Sequence, residues 1–164
     1  MYHFFVEPHQ IGAEEIRIEG ADVNHIRNVL RMKPGEEILI SSREGGDYFC
    51  RVEELEPEYV SAKILEEWEN KELPARIHLF QGLPKGDKME LIIQKAVELG
   101  AYRVVPVSMK RSVVKLDAKK ADAKRKRWNA VSESAAKQSK RSLIPEVAPL
   151  MTYKEAVKEA AGYD

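Results

Sequence analysis

The 164 residues, 43% apolar and 33% charged, suffice for two small domains with an ordinary globular balance. No apolar run approaches the roughly 18 residues of a membrane span, residues 1–10 lack the basic start and apolar stretch of a secretory signal, and the single cysteine, Cys50, cannot form an internal disulfide; the chain is expected in the cytoplasm. The formal net charge of zero hides a division at Pro74: residues 1–74 hold 8 Lys and Arg against 17 Asp and Glu, whereas residues 75–164 hold 19 against 10. Balances this different predict two domains, with the basic half either attracting the acidic half or facing a polyanion.

Residues 2–6 are a run of β formers, 16–18 a short alternating piece, and 36–41, 47–52 and 59–65 read as further strands, with a hairpin turn at 44–47. Five short strands at close spacing predict a small barrel. One helix interrupts them, with Asp22 as its N-cap and Val23, Ile26, Val29 and Leu30 as its inward stripe, and it stops before Lys33-Pro34-Gly35. His25, Arg27 and Arg31 lie off that stripe and can meet phosphate, with Lys33 close by. An imidazole can stack on a base as well as donate to phosphate, and His25 is equally readable as a structural histidine.

Residues 68–74, WENKELP, break the strand pattern with charge and proline and read as a linker. A strand at 76–81, a helix entered through Lys85-Gly86-Asp87-Lys88 and a strand at 103–107 make one right-handed βαβ unit of a parallel sheet. In the helix Met89, Ile92, Ile93, Ala96 and Val97 share one face and Lys88 and Lys95 lie off it. Asp87 and Glu90 have capping-box spacing, and Gly100 stands where a left-handed cap would end the helix. The loop after Ser108 carries Lys110, Arg111 and Lys115, and a long helix begins near Asp117. Six of the nine residues 119–127 are basic, a run that implies solvent or an anionic partner. Trp128, Val131, Ala135 and Ser139 form the packing side of this helix. Arg127, Gln138 and Arg141 fall within about 60° of one another at 100° per residue and form a candidate RNA face. A short strand near Val147 follows, and Thr152 and Glu155 are spaced as a capping box for a last helix at 153–161.

The segment from Gly82 to Lys88 fails the spacing and the ending of a phosphate-binding Walker loop. The four histidines are scattered, so no metal site is expected. Cys50 sits in an alternating strand and reads as packing, and no serine has a paired His and Asp nearby in sequence, so no hydrolase triad is visible.

Several separated stretches, in order, carry a family resemblance: HIRNVLRMKPG at 25–35, KGDK at 85–88, IQKAVELG at 93–100, Pro106, Arg111-Ser-Val113, Arg127-Trp128, AAKQSKR at 135–141 and Pro145. Together they resemble the RsmE-type small-subunit ribosomal RNA uridine-N3 methyltransferases of the knotted SPOUT superfamily. The resemblance spans essentially the whole chain and implies an α/β protein: a PUA-like small β-barrel that positions RNA over residues 1–70, then a SPOUT-type domain with a parallel sheet over 75–164. It implies methylation of the imide nitrogen of one uridine with S-adenosylmethionine as donor, by a homodimer acting on ribosomal RNA. Ser134 and Lys137 stand where members usually carry acidic residues, which puts any acidic role there in doubt.

In the superfamily the donor sits in a C-terminal trefoil knot with a Gly-Pro-Glu-Gly-Gly and an Arg-Ile-Leu-Arg segment. Neither segment occurs among these 164 residues. The chain is therefore expected to be a fragment holding an incomplete SPOUT domain, inactive by itself, with the donor-binding residues elsewhere; the alternative is an RNA-binding module without catalysis. Methyl transfer needs the uridine nitrogen to lose its proton, and negative charge then spreads over the flanking carbonyls. Arg111 or Arg141 is expected to stabilise that charge and Gln138 to bond the uracil edge, while both arginines are equally readable as phosphate clamps. His25, Arg27, Arg31, Lys33, Lys85, Lys88, Lys95 and Arg127 are the expected RNA contacts.

Overall fold

The computed structural model describes residues 1–43, 45–69, 72–110 and 117–163. They fall into two compact units, Met1–Glu72 and Leu73–Asp164.

In the first unit β1 (Tyr2–Val6), β2 (Glu15–Glu19), β3 (Glu37–Ser42), β4 (Asp47–Leu55) and β5 (Tyr59–Trp68) form one sheet of order β1-β3-β4-β5-β2. β1 runs parallel to β3 and the other pairs are antiparallel. Period-two alternation sets the faces: in β2, Ile16 and Ile18 are buried while Glu15, Arg17 and Glu19 are exposed. Phe4, Ile16, Ile18, Ile38, Ile40, Val52 and Val60 meet in the core, each such side chain contributing about 1.5–3 kcal/mol by leaving water. Two register shifts in β4, after Phe49 and after Val52, curl the sheet into the half-barrel of a PUA-like domain. Trp68 belongs to β5 and not to the linker: it pairs with Asp47 of β4, and its indole stacks on the diagonal neighbour Phe49, with centroids 5.5 Å apart.

A buried polar chain ties β1, β3 and β4 together. Ser41 Oγ donates to Asp47 Oδ1 at 2.5 Å, which leaves the hydroxyl oxygen to accept from His3 Nε2 at 2.7 Å. Serine lies between the other two and all three are buried, so the group pins strand register and is no nucleophile.

The interrupting helix departs from the sequence pattern. Gly20, with φ 76°, and not Asp22, occupies the N-cap of α1 (Ala21–Asn24). α1 then opens into a π-turn, His25–Val29, closed by Leu30 N donating to His25 O at 2.9 Å. The wider turn adds a residue and breaks the expected stripe. Val23 and Ile26 are buried and Leu30 packs on the core, but Val29 is 61% exposed.

In the second unit β6 (His78–Gly82), β7 (Arg103–Ser108) and β8 (Glu146–Val147) lie side by side and parallel, and β9 (Met151–Thr152) pairs with the end of β7. β8 pairs as far as Val104 and β9 from Val107, so the interruption falls at Pro106, which has no N–H to give a ladder. α2 (Lys88–Glu98) buries Met89, Ile93 and Val97 and packs on α3 (Ala118–Ser139). Asp87 makes no side-chain cap, so its expected capping box with Glu90 does not form. The other end is capped as expected: Gly100, at φ 97°, donates to Val97 O and Ala101 N donates to Ala96 O. A β-carbon on Gly100 would also lie 2.6 Å from Leu73 Cδ1.

Asp117 caps α3 by accepting from Lys120 N at 2.8 Å. The packing side of α3 is Trp128, Ser132, Ala135 and Ala136, rotated from the expected one, with Val131 half-buried and Ser139 exposed. The Thr152–Glu155 capping box opens α4 (Tyr153–Ala160). Its hydrogen bonds from the Thr152 hydroxyl and backbone N–H hold the Glu155 carboxyl below its ordinary range.

Candidate nucleic-acid interface

The first unit is acidic overall, yet it concentrates basic side chains just where α1 unwinds. His25, Arg27, Arg31 and Lys33 follow one another through the π-turn and the loop beyond it. None of their side chains has an ion-pair partner among the described residues, whereas Arg17, Arg43 and Arg51 of the same unit pair with Glu19, Glu7 and Glu37 at 3.2, 3.0 and 4.0 Å. Arg31 is held at φ 53°, a conformation that costs a side-chain-bearing residue roughly 1–2 kcal/mol. The His25 ring meets the edge of buried Phe4, with centroids 6.5 Å apart, and stays exposed on its other side.

In the second unit, Lys85 and Lys88 are exposed at the entry to α2 and likewise without an ion-pair partner among the described residues. Lys95 differs: its ammonium donates to Glu98 at 2.7 Å, and together with Gln94 it holds the Glu98 carboxyl below the usual carboxylate range.

The basic run on α3 is largely neutralised, which corrects its reading as bare like charge. Lys120 pairs with Asp117 at 3.4 Å, Lys126 with Asp122 at 3.2 Å, Arg125 with Glu146 at 3.1 Å and Arg127 with Glu90 at 2.7 Å. Two of these carboxylates come from the helix itself or its cap and two from distant strands and helices. Lys119 and Lys124 keep no ion pair among the described residues; the Lys124 ammonium lies over the Trp128 ring, 5.9 Å from its centroid.

The expected face of Arg127, Gln138 and Arg141 does not form. α3 ends at Ser139, Lys140 turns left-handed at φ 55°, and Arg141 swings inward to become only 8% exposed. There its Nη1 donates to Val97 O at 2.9 Å, beside the bond that carbonyl already takes from Gly100 N, and to Ala101 O at 2.7 Å, just beyond the end of α2. The 100° projection fails because it continues a helix past its cap. Of the three residues, Gln138 alone is exposed and uncommitted among the described residues. Arg111 lies outside the described residues, as does Lys115.

Two cavities open around the loops at the carboxyl ends of β6 and β7. One, of about 260 Å³, is apolar and runs between Phe80, Met109, Tyr153 and Val157. The other, of about 190 Å³, lies between the loop from Leu83 to Asp87 and α3, with Glu90, Lys124 and Trp128 in its walls. Sequence reading passed over Asp87, Lys124 and Trp128 as a group because they join only when α2 and α3 pack. The one signal was the proline–glycine turn at the end of a parallel strand, where open α/β sheets place their ligands. No group of three His, Cys, Asp or Glu residues among the described residues could hold a metal.

Known proteins align with both units. Residues 71–164 match the family described as RNA methyltransferase domain, and residues 18–65 match that described as RNA methyltransferase PUA domain. The ribosomal RNA small subunit methyltransferase E of Bacillus subtilis (strain 168) is 40% identical over 169 residues, which cover 100% of this chain and 66% of that protein. The Synechocystis protein of the same name is 31% identical over 98% of this chain and 52% of its own length. The crystal structure of a ribosomal RNA small subunit methyltransferase E from Neisseria gonorrhoeae bound to S-adenosyl methionine matches with a TM-score of 0.83 at 34% identity, over 97% of this chain and 66% of that one. The chain spans between about half and two thirds of the length of these relatives. By both family matches and by these relatives, the chain belongs to the RsmE-type small-subunit ribosomal RNA methyltransferases.

Proposed function

We propose that this protein takes part in S-adenosylmethionine-dependent methylation of the N3 nitrogen of a uridine in small-subunit ribosomal RNA, as a cytoplasmic homodimer, and that the residues described here grip and orient the RNA. The observation that carries the RNA-gripping role is the basic group His25, Arg27, Arg31 and Lys33: in a unit whose other arginines are paired, these four have no ion-pair partner among the described residues, the first two on a π-turn and the others in the loop beyond it. Cations left without carboxylates are what a phosphate backbone neutralises, and π-turns recur at functional sites. The names of the relatives supply the reaction and the substrate class.

Neither cavity fits the whole donor. The larger is apolar and offers no charged group to the amino-acid end of S-adenosylmethionine, and the smaller is below the roughly 300 Å³ at which small-molecule sites begin. No donor-binding role is therefore assigned to any described residue. On the RNA side, the exposed Gln138 amide can both donate and accept along the uracil edge. Arg141 is engaged in holding α2, so of the two arginines the sequence left open we assign to Arg111 the task of meeting the charge that spreads over the uracil carbonyls. Lys85 and Lys88 contact the backbone on either side of the modified stretch.

The test is to supply unmodified small-subunit RNA and methyl-labelled S-adenosylmethionine to the full-length gene product that contains these 164 residues, and to separate the labelled nucleosides. Label in N3-methyluridine is the expected result; label in another nucleoside, or in none, overturns the assignment.

A further inference from the structure

We infer that the cavity between the β6–α2 loop and α3 receives one unstacked pyrimidine base of the RNA, an inference that rests on the RNA-binding reading above. At about 190 Å³ it suits one ring and not a nucleotide or a cofactor. Its apolar walls are Leu83, Met89 and the indole of Trp128, all buried in the packing of α2 on α3. Its polar rim is Asp87, Glu90 and Lys124.

These rim groups are complementary to a base edge and not to each other. The Asp87 carboxylate neither caps α2 nor has another partner among the described residues. Glu90 is held in place by Arg127, at 2.7 Å. Lys124 has no carboxylate partner among the described residues, and its ammonium lies over the Trp128 ring. A uracil edge presents a ring N–H between two carbonyls, so a carboxylate that accepts the N–H and an ammonium that donates to a carbonyl match it. Sequence-specific RNA readers work on such splayed-out bases, with aromatic and apolar surface against the ring. Lys85 and Lys88, exposed on the same loop and first turn, are placed for the phosphates that flank the base.

Trp68 and Trp128 are the chain's two tryptophans, so Trp68→Phe leaves emission from Trp128 alone. A dodecauridylate is titrated into this variant beside an abasic phosphodiester of equal length and uridine monophosphate, with affinities followed by anisotropy. Dodecauridylate is expected to change Trp128 emission and to lose about tenfold in affinity on Asp87→Ala. The abasic strand is expected to bind without changing emission, and with an affinity that Asp87→Ala leaves alone. Should Trp68→Phe not fold, 4-thiouridine in the same oligomer is photo-crosslinked to the unaltered chain, with adducts expected in residues 83–90 or 124–128. Equal binding of uridylate and abasic strands with unchanged emission, or crosslinks elsewhere, overturns the base pocket while RNA binding stands. Monophosphate binding as tight as the oligomer makes this a free-nucleotide site and overturns the inference too. Failure of every strand to bind removes the RNA-binding reading and the pocket with it.

Discussion

Arg141 holds the carbonyl of Val97 from a position buried behind α3, 2.9 Å from guanidinium nitrogen to oxygen, and the same nitrogen reaches Ala101 O at 2.7 Å. Charge-assisted bonds of this kind are worth roughly 1.5–3 kcal/mol each, and without Arg141 the Val97 carbonyl keeps its bond from Gly100 N but loses the charged one. Arg141→Ala is therefore expected to destabilise the second unit by about 3 kcal/mol, seen as a lower denaturant midpoint. An unchanged midpoint with lost methylation would return Arg141 to the substrate.

Arg127 and Glu90 make the opposite case. Their pair is partly exposed, with 69% of the arginine side chain open to solvent, and such pairs rarely exceed about 1 kcal/mol. Glu90→Gln should leave thermal stability almost unchanged and release Arg127 to RNA. The expected readout is a rise in affinity for any RNA strand at low salt, with the slope of log affinity against log salt steeper by about one. A large fall in stability would mean that the pair is structural.

Arg31 should separate folding from binding. Glycine adopts its φ of 53° without strain, so Arg31→Gly is expected to stabilise the first unit by up to about 1 kcal/mol. The same change removes a phosphate contact and should weaken RNA binding several-fold. Stability and affinity moving in the same direction would contradict a strained, functional Arg31.

Burial in the half-barrel pushes the Cys50 thiol up from its ordinary value near 9 to about 12. The unfolded chain then ionises first. The stability that comes with a protonated Cys50 is fully present below pH 9 and is lost as pH rises from there toward 12. The stability difference between the unaltered chain and Cys50→Ala, measured by denaturant at pH 8 and pH 10.5, should shrink at the higher pH. A constant difference would mean that the thiol is not shielded as the structure has it.

What the sequence made legible was whatever depends on neighbours along the chain. Alternation located β1 to β5 to within a few residues, the spacing of Met89, Ile93 and Val97 marked the buried face of α2, and Gly100 and Thr152–Glu155 marked helix ends. Asp87 and Glu90 fit a capping pattern equally well, but Arg127 arrives from another helix and takes Glu90. The basic run of α3 looked unpaired because Glu146 and Glu90 are remote in sequence. Val29 and Arg141 were misplaced for one reason: both were projected on an ideal helix, through a π-turn in one case and past a left-handed cap in the other.

The strand order of the first unit also has a kinetic meaning. β1 finds no partner until residues 37–42 exist, and β2 finds none until residues 59–63 do, because their ladders are to β3 and β5. Pairings across such sequence distances form only after long loops close, so this unit belongs among the slower-folding small domains. During synthesis its earliest strand emerges with bare edges and must wait. The β3–β4 and β4–β5 hairpins are the local ladders, and the first of them to emerge, β3–β4, offers the template on which β1 later docks.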